Sequence, residues 1–101
     1  NLGGSVSQTT PQASFGFDYN ATPSNGFTVT HETGDTINTD DNSLNVTGPG
    51  ITSVSWAPGD GSVSAGDSKD VGSYTSGETY RVVWQSQNGE NSATLSESTA
   101  P

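Results

Sequence analysis

The sequence predicts an all-β protein, a single antiparallel β-sandwich of about seven or eight short strands. Apolar residues fall in short runs that alternate with polar ones, the period of a strand with one buried face. Gly, Pro, Asn and Asp punctuate those runs at short intervals, as turns require. No stretch repeats apolar residues at the spacing of an amphipathic helix.

Residues 1–12 (NLGGSVSQTTPQ) read as a flexible linker, and the β-sandwich domain is expected over 13–98. Ala13, Phe15, Phe17 and Tyr19 alternate with Ser14, Gly16 and Asp18 in a first strand. The cluster 20–26 (NATPSNG) ends in Asn25-Gly26, a strong reversal signal. Phe27, Val29 and His31 then form a partner strand over 27–32. Thr33-Gly34-Asp35 turns the chain into Thr36-Ile37, and Asp40-Asp41-Asn42 breaks it again. Leu44 and Val46 mark a short strand ended by Gly48-Pro49-Gly50, followed by a strand over 51–56 with Val54 and Trp56 on one face. After the loop 57–61, Val63 and Ala65 begin a strand that Gly66-Asp67 turns, and 71–74 read as irregular. The strand over 78–86 (ETYRVVWQS) is apolar on both faces, which predicts a central position with Trp84 in the core. Asn88-Gly89 turns it into 91–97, where Ala93 and Leu95 are expected to point inward.

Composition sets bounds on this domain. Its 101 residues fit one domain, and with 27% hydrophobic residues the core must lean on eight aromatics. A net charge of −9 would also suit a disordered chain. The ordered alternation of apolar residues argues for a folded one. The charge is one-sided, with 11 acids against Lys69 and Arg81 alone. Such a surface repels phosphate backbones and anionic headgroups, so nucleic acid is not an expected partner. A surface this acidic, poor in Lys and filled out with Ser and Thr, fits high salt, where about 1 M ions screen charge within about 3 Å. Without Cys there is neither a disulfide framework nor a thiolate site.

Reactive groups are scarce. His31 is the sole histidine, it lies mid-strand, and no Ser occupies a G-x-S-x-G elbow, so no catalytic residue is assigned. His31 is expected to be a partly buried strand residue bonded to a neighbour. Most acids fall in turns (Asp35, Asp40, Asp41, Asp60, Asp67 and Asp70), where carboxylates cap backbone N–H groups. Asp40-Asp41-Asn42 and Asp60-Gly61 could offer oxygen ligands to Ca²⁺ from separate loops, but nothing matches the EF-hand spacing, and no metal or cofactor is assigned. Two sequons, Asn20-Ala21-Thr22 and Asn45-Val46-Thr47, make Asn20 and Asn45 the candidate glycosylation sites, both expected to face solvent.

Four segments in order, PQASFGFDYN, FTVTHETGDTI, VSAGDS and GETYRVVWQSQNGENSATL, resemble the mature region of haloarchaeal type IV pilins of the archaeal pilin family. The resemblance covers about 12–37 and 62–95 and is carried by Phe15, Phe17, His31, Gly34, Asp35, Ile37, Ala65, Gly66, Asp67, Gly77, Glu78, Arg81, Val82, Trp84 and Ala93. It implies a basic leader cut by a prepilin peptidase, then a long apolar helix that inserts in the membrane before assembly and packs in a filament core. That helix is not in this sequence. Asn1-Leu2-Gly3-Gly4 would fall just past its end, so the chain is expected to be the soluble head of a longer precursor.

The resemblance thus implies a structural, extracellular pilus subunit supporting surface adhesion and cell–cell contact. Its partners would be other pilin subunits, through the helix, and abiotic or cell surfaces. A surface protein with the same anchor that never polymerises would look alike. The competing reading is a secreted β-sandwich binding module for carbohydrate or protein, which would be favoured by Trp56 and Trp84 lying exposed on one flat surface. An enzyme would need His31 beside an Asp and a Ser.

Overall fold

The computed structural model describes residues 10–19 and 26–101. Among them the chain forms nine strands and no helix: β1 (Ala13–Tyr19), β2 (Phe27–Gly34), β3 (Ile37–Asn38), β4 (Ser43–Thr47), β5 (Val54–Ser55), β6 (Ser62–Val63), β7 (Ser68–Asp70), β8 (Thr79–Gln85) and β9 (Ser92–Thr99). Every pairing is antiparallel. One sheet has the order β1-β2-β7, the other β5-β4-β8-β9, and β3 pairs with β6 in a small ribbon.

The expected alternation places the core between the two main sheets. Phe15, Phe17 and Tyr19 on β1 pair with His31, Val29 and Phe27 on β2, so all six share the inner face. Opposite them, Leu44 pairs with Trp84 and Val46 with Val82, and these four side chains are buried with Tyr80. β8 is central, as its two apolar faces predict, and both tryptophans are core residues at 3% (Trp56) and 2% (Trp84) exposure. Rings do much of the packing. Phe27 meets Tyr80 at 4.8 Å and Tyr74 at 6.2 Å, and Phe15 meets Trp56 edge-on at 5.7 Å.

Several strands depart from expectation, each for a visible reason. The strand expected over 51–56 contracts to Val54–Ser55. The preceding loop is drawn instead to Tyr80, whose hydroxyl donates to the Pro49 carbonyl at 2.7 Å. The strand expected from Val63 to Ala65 stops at Val63 because Asp67 closes the turn early, accepting from the Ser64 N–H at 2.9 Å. β7 appears just after the Gly66-Asp67 turn, in a stretch with no apolar signal, because β2 recruits it through its backbone. The ladder is extended by Gly66 N–H to His31 C=O at 2.8 Å at one end and Val71 N–H to Phe27 C=O at 2.7 Å at the other.

A bulge at Val82/Val83 sets Val82 opposite Ser96 and Val83 opposite Thr94, leaving Leu95 as the extra residue. Ala93 and Leu95 still pack half-buried against the core, but beyond the bulge Ser96 and Ser98 take the inner face. They close one side of the sandwich. Ser96 Oγ accepts from the Phe15 N–H at 2.9 Å, and Ser98 Oγ accepts from the Tyr19 hydroxyl at 3.0 Å. Order extends past 98, since Ala100 is buried and its N–H donates to the Glu78 carbonyl at 2.8 Å. Of the expected linker, residues 1–9 lie outside the described residues, and Gln12 is tied to Asp35 through its carbonyl and its N–H.

Candidate functional site

The two outer faces of the sandwich differ in charge. On the β1-β2-β7 sheet, Asp18, Thr28 and Asp70 form one row across the three strands, with Thr28 Oγ1 donating to Asp70 Oδ1 at 2.9 Å. Glu32, unpaired at the β1–β2 irregularity, lays its carboxylate over Gly16, where a side chain would collide with it. The other residues of this face are Ser, Thr and Gly, so every charge on it is negative. The outer face of the β5-β4-β8-β9 sheet carries one acid and one base, Glu97 and Arg81, and they pair with each other at 3.2 Å. Ser, Thr, Asn and Gln surround Val83 at its centre.

Asn45 lies on that second face, between Ser55 on β5 and Val83 on β8, and is half-buried. The alternation with buried Leu44 and Val46 therefore turns it outward as expected. Its sequon threonine, Thr47, lies on the same face one step along β4. Asn20 lies outside the described residues.

The side of the sandwich opposite the hydroxyl bridges is open. A cleft of about 790 Å³ runs there, lined by Trp56 and the following loop to Asp60 on one wall and by Asp67, Ser68 and Lys69 on the other. Lys69 pairs with Val29 in the β2–β7 ladder, so it projects on the inner face of an edge strand. It is half-buried and makes no ion pair among the described residues. An inward charge on an edge strand makes a further strand costly to add there, because pairing would seal the ammonium from water. Sequence reasoning missed this residue, since Ser68-Lys69-Asp70 has no apolar member to announce a strand. The available signal was its position directly after the Gly66-Asp67 turn.

His31 is fully buried. Nε2 donates to the Asp35 carbonyl at 2.7 Å, which assigns the proton to that nitrogen, and the ring packs on Phe15 at 5.0 Å. Nδ1 is buried without a partner among the described residues. No Ser or Asp side chain bonds this imidazole, which instead pins the turn from β2 to β3. The ionisation of the Tyr19 hydroxyl is displaced upward from its ordinary 10.0, by burial first, against the opposing bond with Ser98 and helped by nearby Tyr80 and Tyr74.

Three of the six turn acids cap backbone, as their positions suggest: Asp60 Oδ1 accepts from the Ser62 N–H at 3.2 Å, Asp35 Oδ2 from the Gln12 N–H at 2.9 Å and Asp67 Oδ2 from the Ser64 N–H at 2.9 Å. At Asp40 and Asp41 the cap is instead Asn38 Oδ1, which accepts from both N–H groups at 2.9 and 3.1 Å, and Asp70 lies not in a turn but in β7, where its carboxylate accepts from Thr28 Oγ1. The two loops named as oxygen donors do meet. Thr39 N–H donates to the Gly61 carbonyl at 2.9 Å, and the Asp40 carboxylate lies against Gly61. Even so, among the described residues no three His, Cys, Asp or Glu side chains converge on a point that could hold a metal ion. Among them, too, no helix is long and apolar enough to cross a membrane.

No protein-family model and no curated protein matches this chain.

Proposed function

We propose that this chain is the solvent-facing head of a pilin-like surface protein, a structural subunit of an archaeal type IV pilus from a high-salt organism. In this reading it is extracellular, supports surface adhesion and cell–cell contact, and joins other subunits through an apolar helix encoded ahead of Asn1. The observation that carries the reading is the ordered series of segments that resembles haloarchaeal pilins. Several of its members occupy core and turn positions, although Asp67 also lines the cleft. Phe15, Ile37, Val82 and Trp84 are core, and Gly34 and Gly66 turn the chain at positive φ of 108° and 98°. A pattern made of core and turn positions fits a scaffold.

The surface supports the same reading. An exposed head must resist edge-to-edge pairing. Here one side is bridged by Ser96 and Ser98, and the edge strand on the other carries Lys69 inward. Glycans on Asn20 and Asn45 would add to that protection. The binding-module reading asked for Trp56 and Trp84 on an open face, and both are buried.

The test is the coding sequence upstream of Asn1, followed by deletion of the gene. A basic leader and about 20 apolar residues are expected, with loss of filaments and of surface adhesion in the deletion strain. A conventional signal peptide with a small-residue cleavage site, or intact filaments and adhesion after deletion, would overturn the proposal.

A further inference from the structure

The cleft beside Trp56 holds a charge that the chain itself does not answer. Lys69 stands on the inner face of β7, opposite Val29, and its half-buried ammonium makes no ion pair among the described residues. Leaving such a group unpaired costs stability. Keeping a further strand off this edge explains a charge there, but not its sign. In a chain with 11 acids and two bases, the sign is the informative part. The other base, Arg81, is already paired with Glu97. A residue that breaks a local rule without an internal partner is what functional positions look like.

Hydrogen-bond acceptors flank the ammonium from both walls of the cleft, Asp60 on the far one and Asp67 on its own. Each acid uses one carboxylate oxygen on its own loop. Asp60 Oδ1 accepts from the Ser62 N–H at 3.2 Å, and Asp67 Oδ2 from the Ser64 N–H at 2.9 Å. The second oxygen of each, Asp60 Oδ2 and Asp67 Oδ1, has no partner among the described residues. The exposed Ser68 hydroxyl adds a group that can donate or accept. Pro58 and Trp56 supply apolar lining.

We propose that this cleft binds a sugar acid, a pyranose ring bearing one carboxylate. The carboxylate pairs with the Lys69 ammonium, a charge-assisted contact that salt screens less in a partly enclosed site than on open surface. Ring hydroxyls donate to the free oxygens of Asp60 and Asp67. The same two acids select against simpler anions, because a bare carboxylate brings them no donor and meets their repulsion. The acceptors stand on both walls, so the ligand's donors must be spread around it, as ring hydroxyls are and a single ammonium is not. At about 790 Å³ the cleft has the size of a small-molecule site, roughly 300–1,000 Å³. Trp56 is 3% exposed and offers no open ring face, so recognition falls to charge and hydrogen bonds rather than stacking. The proposal concerns the domain alone and stands whether or not the chain belongs to a filament.

The test is an NMR titration of the 101-residue chain in about 1 M KCl, which screens its net charge of −9. Glucuronate, glucose, acetate and glycylglycine are the four probes. Glucuronate should shift Trp56, Asp60, Ser68 and Lys69 and saturate. Glucose, without the charge, and acetate, without the hydroxyls, should each bind at least about tenfold more weakly. Lys69→Met should weaken glucuronate about tenfold and leave glucose unchanged, whereas Arg81→Gln, on the other sheet, should leave glucuronate unchanged. Thermal midpoints no lower than that of the unmodified chain would show that both variants fold, and the four-probe comparison on the unmodified chain needs neither. Absence of saturable shifts with glucuronate, equal binding of glucose or acetate, or tighter binding of glycylglycine would each overturn the proposal. So would loss of binding in Arg81→Gln, or shifts that fall outside the cleft.

Discussion

Removing one oxygen atom, by Tyr80→Phe, should cost this domain about 2 kcal/mol. The Tyr80 ring is fully buried, and its hydroxyl accepts from the Thr75 N–H at 2.6 Å and donates to the Pro49 carbonyl at 2.7 Å. It thereby ties together two loops that share no ladder. Each bond contributes about 1 kcal/mol net. Pro49 and Thr75 belong to exposed residues, so water can reach their freed backbone groups and no large desolvation penalty is added. The phenyl ring keeps its place against Phe27 and Gly48. In a domain of this size about 2 kcal/mol corresponds to a fall of about 10 °C in the thermal midpoint. Urea denaturation followed by the fluorescence of the buried tryptophans measures it, with an unchanged slope showing that surface exposed on unfolding is the same. A loss under about 0.5 kcal/mol would show that the hydroxyl bonds exchange freely with water. A loss above about 4 kcal/mol would show that the two loops fold only when tied.

Three further outcomes follow from named groups. Lys69→Val should raise stability by about 1 kcal/mol, by replacing a half-buried ammonium with apolar surface, yet increase self-association in light scattering; a variant that stays monomeric at all concentrations would remove the edge-protecting role given to Lys69. Denaturation midpoints should climb steeply between about 0.1 and 3 M KCl as the acidic face is screened, and a flat profile would sink the high-salt reading. Because the folded-state pKa of Tyr19 lies above the ordinary 10.0, its contribution to stability is intact below that pH and is lost as pH rises through the folded value, so Tyr19→Phe should flatten the alkaline limb of the stability profile. Equal alkaline slopes in the two proteins would refute that assignment.

Much of the fold was legible because a strand writes its buried face into alternate residues. Phe15-Phe17-Tyr19 and Tyr80-Val82-Trp84 announce both strands and their orientation, and the outward turn of Asn45 follows from Leu44 and Val46. β7 was illegible for the complementary reason. Its ladder is made of backbone groups, which every sequence possesses, and its inward residue is a lysine. The Leu95 bulge, likewise, follows from register against β8 and leaves no mark in the alternation of its own strand.

By itself, then, the sequence determined an all-β chain with a thin aromatic core and a strongly acidic surface, because these properties depend on composition and on period. The tertiary structure alone decided where the charge went. Eleven acids are a property of the chain, but a sheet bearing Asp18, Glu32 and Asp70 opposed to a neutral one around Val83 is a property of pairing. Pairing brings residues distant in sequence within a strand's width of each other, and no local pattern records that.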